Sequence, residues 1–235
     1  MNATLVSALI RQRLASPLRL ALVLLFVLPG IGMATITRSL EPLQDSAYWL
    51  ALVLAAGAIG QDVSSGVLHL TFARPVPRPV YVLSRWAGAA LGGLALALLQ
   101  LLAALVFMAG RGSLPPVTVV IAMAAQHALL AATAAAVMLA CSSLADGLGD
   151  VALFAMGAFA LQVGQLAARF KGWTTVVNVI EAVQGALRPE IGVAWIAAHG
   201  APPWNGVVAA LSTTVLALVV AIVRVRGREL SYAAG

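Results

Sequence analysis

The feature that most constrains this chain is a series of six apolar runs, close to the length that crosses a bilayer as a helix. They are Leu18–Thr37, Ala47–Gly60, Trp86–Ala109, Val117–Cys141, Val151–Ala168 and Val207–Val223. Five carry no charged residue, and the first carries only Arg19, beside its start. Hydrophobic residues make up 62% of the 235 residues, whereas soluble domains are about half apolar. The sequence therefore predicts an all-α polytopic membrane protein with one transmembrane domain over 1–235, and the first run is a span, not a cleaved signal peptide.

The distribution of basic residues predicts which side of the membrane each loop faces. With the N-terminus placed inside, nine Lys and Arg fall on the inner side and five on the outer side, three of them in the long loop before the last span. Because cytoplasmic loops are enriched in Lys and Arg, we expect both termini in the cytoplasm and the protein in the cytoplasmic (inner) membrane. The net charge of +6 then reflects topology, and a nucleic-acid partner is not expected.

Two segments outside the spans have an amphipathic pattern. Residues 1–17 place Leu5 and Leu9 on one helical face with Arg13 away from it. This pattern is typical of a helix in the membrane interface, or of a cytoplasmic extension of the first span. Residues 169–205 contain two short apolar pieces, which either dip into the bilayer from the outer side and return or lie on it as surface helices.

Several kinds of chemistry lack their residues in this sequence. There is no glycine-rich phosphate loop ending in Lys and Ser or Thr, so the chain is not expected to be its own ATPase. The three histidines lack metal-ligand spacing, and the single cysteine, Cys141, excludes an internal disulfide, so no metal or other cofactor is expected on this chain. No catalytic residue is predicted. A serine protease would need Ser65 and His127 within hydrogen-bond reach of each other, but the two residues fall towards opposite sides of the membrane.

The polar residues within the spans are few. The glutamines Gln100, Gln162 and Gln165 either form hydrogen bonds between helices or line a translocation path. Gln162 and Gln165 are three residues apart and share a helix face. Transport driven through spans with so few charges needs an energy source outside this chain.

The most polar segment between spans is 61–85, QDVSSGVLHLTFARPVPRPVYVLSR. From Asp62 to Phe72 its pattern predicts a short helix with an apolar stripe, with Asp62 in the first turn, where a carboxylate favours the helix dipole. The three prolines that follow at 75, 77 and 79 are expected to prevent a continuing helix and to extend the chain. A short helix on such a strut suits a groove on a cytoplasmic partner.

At these residues the sequence resembles the membrane subunits of type-2 ATP-binding-cassette exporters. The resemblance consists of an acid after the second span, a Ser/Gly turn with leucine, an Arg-Pro pair, a second Arg, an aromatic residue and a basic residue entering the third span. The positions are Asp62, Ser65, Gly66, Leu68, Arg74, Pro75, Arg78, Tyr81 and Arg85. Val67, where the family often has threonine, and Arg85, where lysine is common, depart from the pattern. Over the rest of the chain the resemblance lies in the order of spans and loops and in the basic C-terminal segment RVRGREL.

The resemblance implies a division of labour between two proteins. A separate cytoplasmic ATPase subunit would carry ATP and Mg²⁺, and the matched residues would couple its motion to the spans. The chain would act with a second permease copy as a homodimer. A membrane scaffold or assembly factor without transport activity stays the alternative, and no motif identifies a cargo.

Overall fold

The computed structural model describes residues 3–67, 76–190, 192–200 and 204–227. In these ranges all regular structure is helical, and six helical segments are long and apolar enough to span a membrane. The helices are α1 (Ala3–Leu14), α2 (Pro17–Thr37), a 3-10 turn (Glu41–Leu43), α3 (Ser46–Ala55), α4 (Gly60–Ser64), α5 (Arg78–Ala109), α6 (Val117–Leu144), α7 (Gly149–Phe170), α8 (Thr174–Leu187), α9 (Val193–His199) and α10 (Trp204–Gly227).

The six predicted spans are confirmed as long apolar helical segments, with two informative differences at their ends. The second span is extended at both ends to Glu41–Ser64, and it is interrupted between α3 and α4. The third begins at Arg78, eight residues before the predicted start at Trp86. The prediction that Pro79 keeps the chain extended is wrong, since a proline in the first helical turn loses no hydrogen bond.

The core of the bundle lies where α3, α5 and α6 pack against one another. In the second span 72% of the most apolar stretch is buried, against 6% in α7. Small residues allow the close contact: a Cβ at Gly93 would lie 2.8 Å from the backbone of Ala51. A similar contact joins α1 to α5, because a Cβ at Gly88 would lie 2.7 Å from Leu9. Close approach at small residues is the usual way membrane helices associate.

Helix α1 is confirmed as a helix, and it packs on α5 and α2. Leu9 is buried, as its place on the apolar stripe predicts. Arg13 was expected off this stripe but is buried as well, with 1% of its surface exposed. Whether α1 lies in a membrane interface stays a prediction.

The segment before the last span folds back along the bundle. Helix α8 is antiparallel to α7: Gln165 Nε2 donates to Glu181 Oε1 at 3.0 Å, and Arg169 pairs with the same oxygen at 2.8 Å. Its end, Leu187, packs against the apolar cluster that contains Val137 of α6. Helix α9 then packs on α6. Both helices therefore pack on the bundle, and whether they dip into the bilayer or lie on its surface stays a prediction.

Candidate functional site

One end of the bundle holds seven of the twelve Lys and Arg residues in the described ranges and carries the candidate site. This basic end is where α2 begins and α10 ends, and its described charged residues are Arg11, Arg13, Arg19, Arg78, Arg85, Arg224, Arg226, Asp62, Asp146 and Asp150. The site has two parts. One closes the loop between the second and third spans, and the other holds the interruption within the second span.

The loop between the second and third spans is closed by a buried ion pair. Asp62 near the end of α4 pairs with Arg85 of α5, and Asp62 Oδ2 also accepts a hydrogen bond from Tyr81 Oη at 2.6 Å. All three side chains are buried, and the Arg85 guanidinium lies 5.3 Å from the centre of the Tyr81 ring. A buried carboxylate and guanidinium stabilise one another only together, because either one alone is an uncompensated charge. The two ends of the loop are thereby joined.

The predicted helix from Asp62 to Phe72 is not continuous in its described part, and residues 68–72 lie outside the described residues. Helix α4 ends at Ser64, and Gly66 has a φ of +72°, which interrupts any helix there. The hydroxyl of Ser65 donates to the carbonyl of Gln61 at 2.7 Å and closes this end. Glycine is the residue that adopts such a backbone conformation at little cost.

The residues predicted to contact the ATPase therefore differ in their exposure and in their contacts. Asp62 and Arg85 face each other in the interior and present no surface for docking. Ser65 is exposed, and Gly66 is half-buried beside it. Leu68, Arg74 and Pro75 lie outside the described residues. Arg78 donates to the main-chain carbonyl of Arg226, which connects the start of the third span to the end of α10.

The interruption at 56–59 leaves main-chain groups that α6 and the start of α7 satisfy. Ser142 Oγ accepts from the N–H of Ile59 at 3.1 Å and from the N–H of Gly60 at 3.0 Å. The buried carboxylate of Asp150 accepts from the N–H of Gly57. Irregular backbone at membrane depth persists only where such partners cover it.

Glycine is required at the end of this interruption. The carbonyl of Gly60 accepts a hydrogen bond from the N–H of Gly147 at 2.9 Å. A Cβ at Gly60 would lie 2.7 Å from the carbonyl oxygens of Ala145 and Gly147, both main-chain atoms. The α6–α7 turn and the interruption therefore fit against each other as two backbones in direct contact.

Two arginines clamp the interruption from the other side. Arg13 of α1 donates to the carbonyl of Ala56 at 2.7 Å and to Gln61 Oε1 at 3.0 Å. Arg19 of α2 donates to the same Gln61 oxygen at 2.9 Å. Burial lowers the pKa of Arg13 to about 10, with Arg19 and Arg85 adding repulsion, so the side chain stays charged at neutral pH. We name Arg13, Arg19 and Gln61 the arginine clamp.

Sequence reasoning did not find the clamp or the polar groups on α6 and α7. Ser142 and Asp150 were each separated from the interruption by more than eighty residues, and one sequence does not reveal which distant residues meet. The signal that was present is Gly57 and Gly60 within the second apolar run, because two glycines in a span mark an irregular backbone.

The three glutamines predicted for a path do not come together within the chain. Gln100 is buried and its Nε2 donates to the carbonyls of Val27 at 3.0 Å and Phe26 at 3.3 Å, joining α5 to α2. Gln165 pairs with α8, and Gln162 is exposed beside it. Gln100 thus forms hydrogen bonds between helices, which was the alternative to lining a translocation path.

No protein-family model matches this sequence, and no curated protein matches it either. Among the described residues, no group of three or more His, Cys, Asp or Glu is arranged to hold a metal ion. His127 lies in α6 with Nε2 2.9 Å from the carbonyl of Leu43, at the end of the second span opposite to Ser65.

Proposed function

We propose that this chain is the transmembrane subunit of an ATP-binding-cassette exporter. It works with a second copy of itself, forms the substrate path, and is driven by a separate cytoplasmic ATPase subunit. That ATPase contacts the segment 61–85, and ATP and Mg²⁺ belong to the ATPase. Both termini of the permease lie on the cytoplasmic side, and α1 lies in the membrane interface.

The observation that carries this function is the buried closure of the loop by Asp62, Tyr81 and Arg85. A loop whose two ends are bound to each other moves as one piece when a partner pushes on it. Gln61 at one end is held by the arginine clamp on α1 and α2, and Arg78 at the other end is bonded to the end of α10. A push on the loop would therefore reach α1, α2, α5 and α10 together.

The interruption in the second span is the segment that such a push would move. Its irregular backbone is held by side chains of four other helices, rather than by a continuous helical ladder. Side-chain bonds to a short irregular segment exchange at lower cost than helical turns, so we assign it the role of a hinge. The interruption directly precedes the loop, which puts the hinge at the point where force enters.

The lack of a nucleotide-binding motif supports a division of labour. The chain has no glycine-rich loop followed by Lys and Ser or Thr, whereas its spans are built for a bilayer. The energy for moving a cargo therefore comes from another protein. Exposed apolar surface on α7, including Met156 and Phe159, provides room for lipid and for the second copy.

Association with the ATPase tests this function. The permease is purified with the cytoplasmic ATPase encoded beside it, and complex formation is compared with that of Arg74→Glu. We expect the charge reversal in the loop to weaken binding, while Lys171→Glu, at the opposite end of the bundle, leaves it unchanged. Equal binding by both variants would contradict docking on this loop. A complex that forms but never couples ATP hydrolysis to a change in the permease would favour the scaffold alternative.

A further inference from the structure

A cavity of about 1070 Å³ lies between α6, α7, α8 and α10. Ligand pockets in proteins commonly measure about 300–1,000 Å³, so this space has the size of a binding site for a large ligand. Its base is formed by Val137 and Cys141 of α6, and Leu187 of α8 lies at its border.

Small residues keep this space open. Gly157 of α7, Gly185 of α8 and Gly206 of α10 line it, and a Cβ placed on Gly157 or Gly185 would meet no atom within 4 Å. Glycines in membrane helices usually bring two helices into contact, as Gly93 and Gly88 do in this bundle. Around the cavity, Gly157 and Gly185 face open space instead of a neighbouring helix. Apolar walls facing a gap forgo the dispersion contacts that a filling molecule would supply.

One polar group on the wall lacks a partner. The side-chain Nε2 of Gln184 is buried and has no hydrogen-bond acceptor among the described residues. Two charged groups of the lining are engaged: Glu181 pairs with Arg169, and Arg188 pairs with Asp45. A buried donor without an acceptor is costly, so a ligand that offers a carbonyl oxygen would be stabilised at Gln184.

The charges around the cavity select against an acidic headgroup. Among the described lining residues, Glu181 and Arg188 are each neutralised by an ion pair, which leaves the carboxylate of Glu190 as a negative charge. An uncharged acceptor such as an ester carbonyl fits the donor without adding repulsion. The bordering helices α7 and α10 also expose apolar side chains, among them Phe159 and Leu211, so an occupant reaches the cavity from the hydrocarbon of the bilayer.

We propose that this cavity binds an ester-linked acyl lipid from the bilayer. One acyl chain lies against the small and apolar residues of α6, α7 and α10. An ester carbonyl accepts a hydrogen bond from Gln184 Nε2. The site belongs to each single copy of the chain, and it does not depend on the exporter function.

Photo-crosslinking of the full chain in phosphatidylcholine nanodiscs tests the site. The probe is a phosphatidylcholine with a diazirine on an ester-linked acyl chain, and crosslinked peptides of α7 and α8 are quantified by mass spectrometry. The double variant Gly157→Leu with Gly185→Leu places two side chains in the space, and we expect crosslinking at these peptides to fall several-fold. Gly32→Leu is the matched control, since a Cβ at this position of α2 also meets no atom within 4 Å.

A second variant tests the hydrogen bond by itself. Gln184→Leu keeps the size of the side chain and removes the donor. We expect crosslinking of the ester probe to fall about 2- to 10-fold, the equivalent of one hydrogen bond, and crosslinking of an ether-linked analogue to stay unchanged. Equal crosslinking in the wild-type chain and the double-leucine variant would overturn the site. So would an equal fall for the ester and ether probes, or intermolecular crosslinks showing a second copy seated in the cavity.

Discussion

The second span and α7 are both apolar in the sequence, but the second span is largely buried in the bundle and α7 is largely exposed. The second span, Glu41–Ser64, lies in the core, is interrupted at 56–59 and is held by side chains of four other helices. Helix α7, Gly149–Phe170, is continuous and largely exposed. The comparison teaches that apolar length identifies a span, whereas polar and glycine residues at its end determine whether its backbone is one continuous helix or an irregular segment held by other helices.

The difference has a physical basis in backbone hydrogen bonds. In α7 each main-chain group within the helix has its partner in the same helix, so the surrounding lipid needs to supply nothing. In the second span the interruption needs Ser142, Asp150 and the arginine clamp, which ties it to α1, α2, α6 and α7. Substitutions in the two regions should therefore differ sharply in their effects.

The largest effect is expected where a buried charge loses its partner. Arg85→Leu leaves the carboxylate of Asp62 buried without a counter-ion, and we expect a loss of about 3–5 kcal/mol in the free energy of unfolding. Denaturant titration of the purified protein in detergent measures this loss. The double variant Asp62→Asn with Arg85→Leu removes both charges and should recover most of it. A double variant as unstable as Arg85→Leu would show that the loss does not come from an uncompensated buried charge on Asp62.

Glycine substitutions compare the two spans directly. Gly60→Ala pushes a methyl group against two main-chain carbonyls, and overpacking of this kind costs about 1–3 kcal/mol. Gly157→Ala in α7 meets open space and gains helix propensity, so it should be neutral or slightly stabilising. Thermal unfolding of the two variants side by side gives the answer. Equal destabilisation would remove the distinction between the two regions.

Removing one hydroxyl should have an intermediate effect. Ser142→Ala deprives the N–H groups of Ile59 and Gly60 of their acceptor, and unsatisfied buried donors cost about 1–3 kcal/mol. We expect faster amide hydrogen exchange confined to the segment around 56–64. Cys141→Ala, one residue away on the same helix, is the control and should leave that exchange as it is. Faster exchange in both variants would mean that α6 packing, not the hydroxyl, holds the interruption.

The smallest effect is a pH dependence of the contact between α7 and α8. Hydrogen bonds from Arg169 and Gln165 lower the pKa of the exposed Glu181 below its usual range. A lowered folded pKa means that the stabilisation is present at neutral pH and is lost as the pH falls through the folded pKa, which lies below the ordinary value of a glutamate. The distance between labels on the two helices should increase only in this acid range. Glu181→Gln should remove the pH dependence, and a dependence that survives in this variant would point to another group.

The sequence was sufficient for the spans because hydrocarbon imposes a length and an absence of charge that one chain displays directly. It was insufficient for the site because the site depends on contacts across the bundle. Arg13 was expected off the apolar stripe of α1, although its four-residue spacing from Leu9 puts both on one face. Its buried acceptors on Ala56 and Gln61 are contacts that one sequence does not reveal. The prediction of one continuous helix from Asp62 missed the break at Gly66, which has a positive φ. Pro79 was predicted to keep the chain extended, but α5 begins at Arg78 because a proline fits into the first turn of a helix.

The most direct test of the central claim is amide hydrogen exchange of residues 56–64 in the complex with the partner ATPase, with and without ATP. If the loop transmits the motion of the ATPase to the interruption, exchange there should change on ATP binding, while residues 151–168 of α7 stay unaffected. The same experiment with Asp62→Asn and Arg85→Leu combined should reduce the change, because the loop ends are no longer bound together. Exchange at 56–64 that is identical with and without ATP would contradict the hinge and the coupling role of the loop.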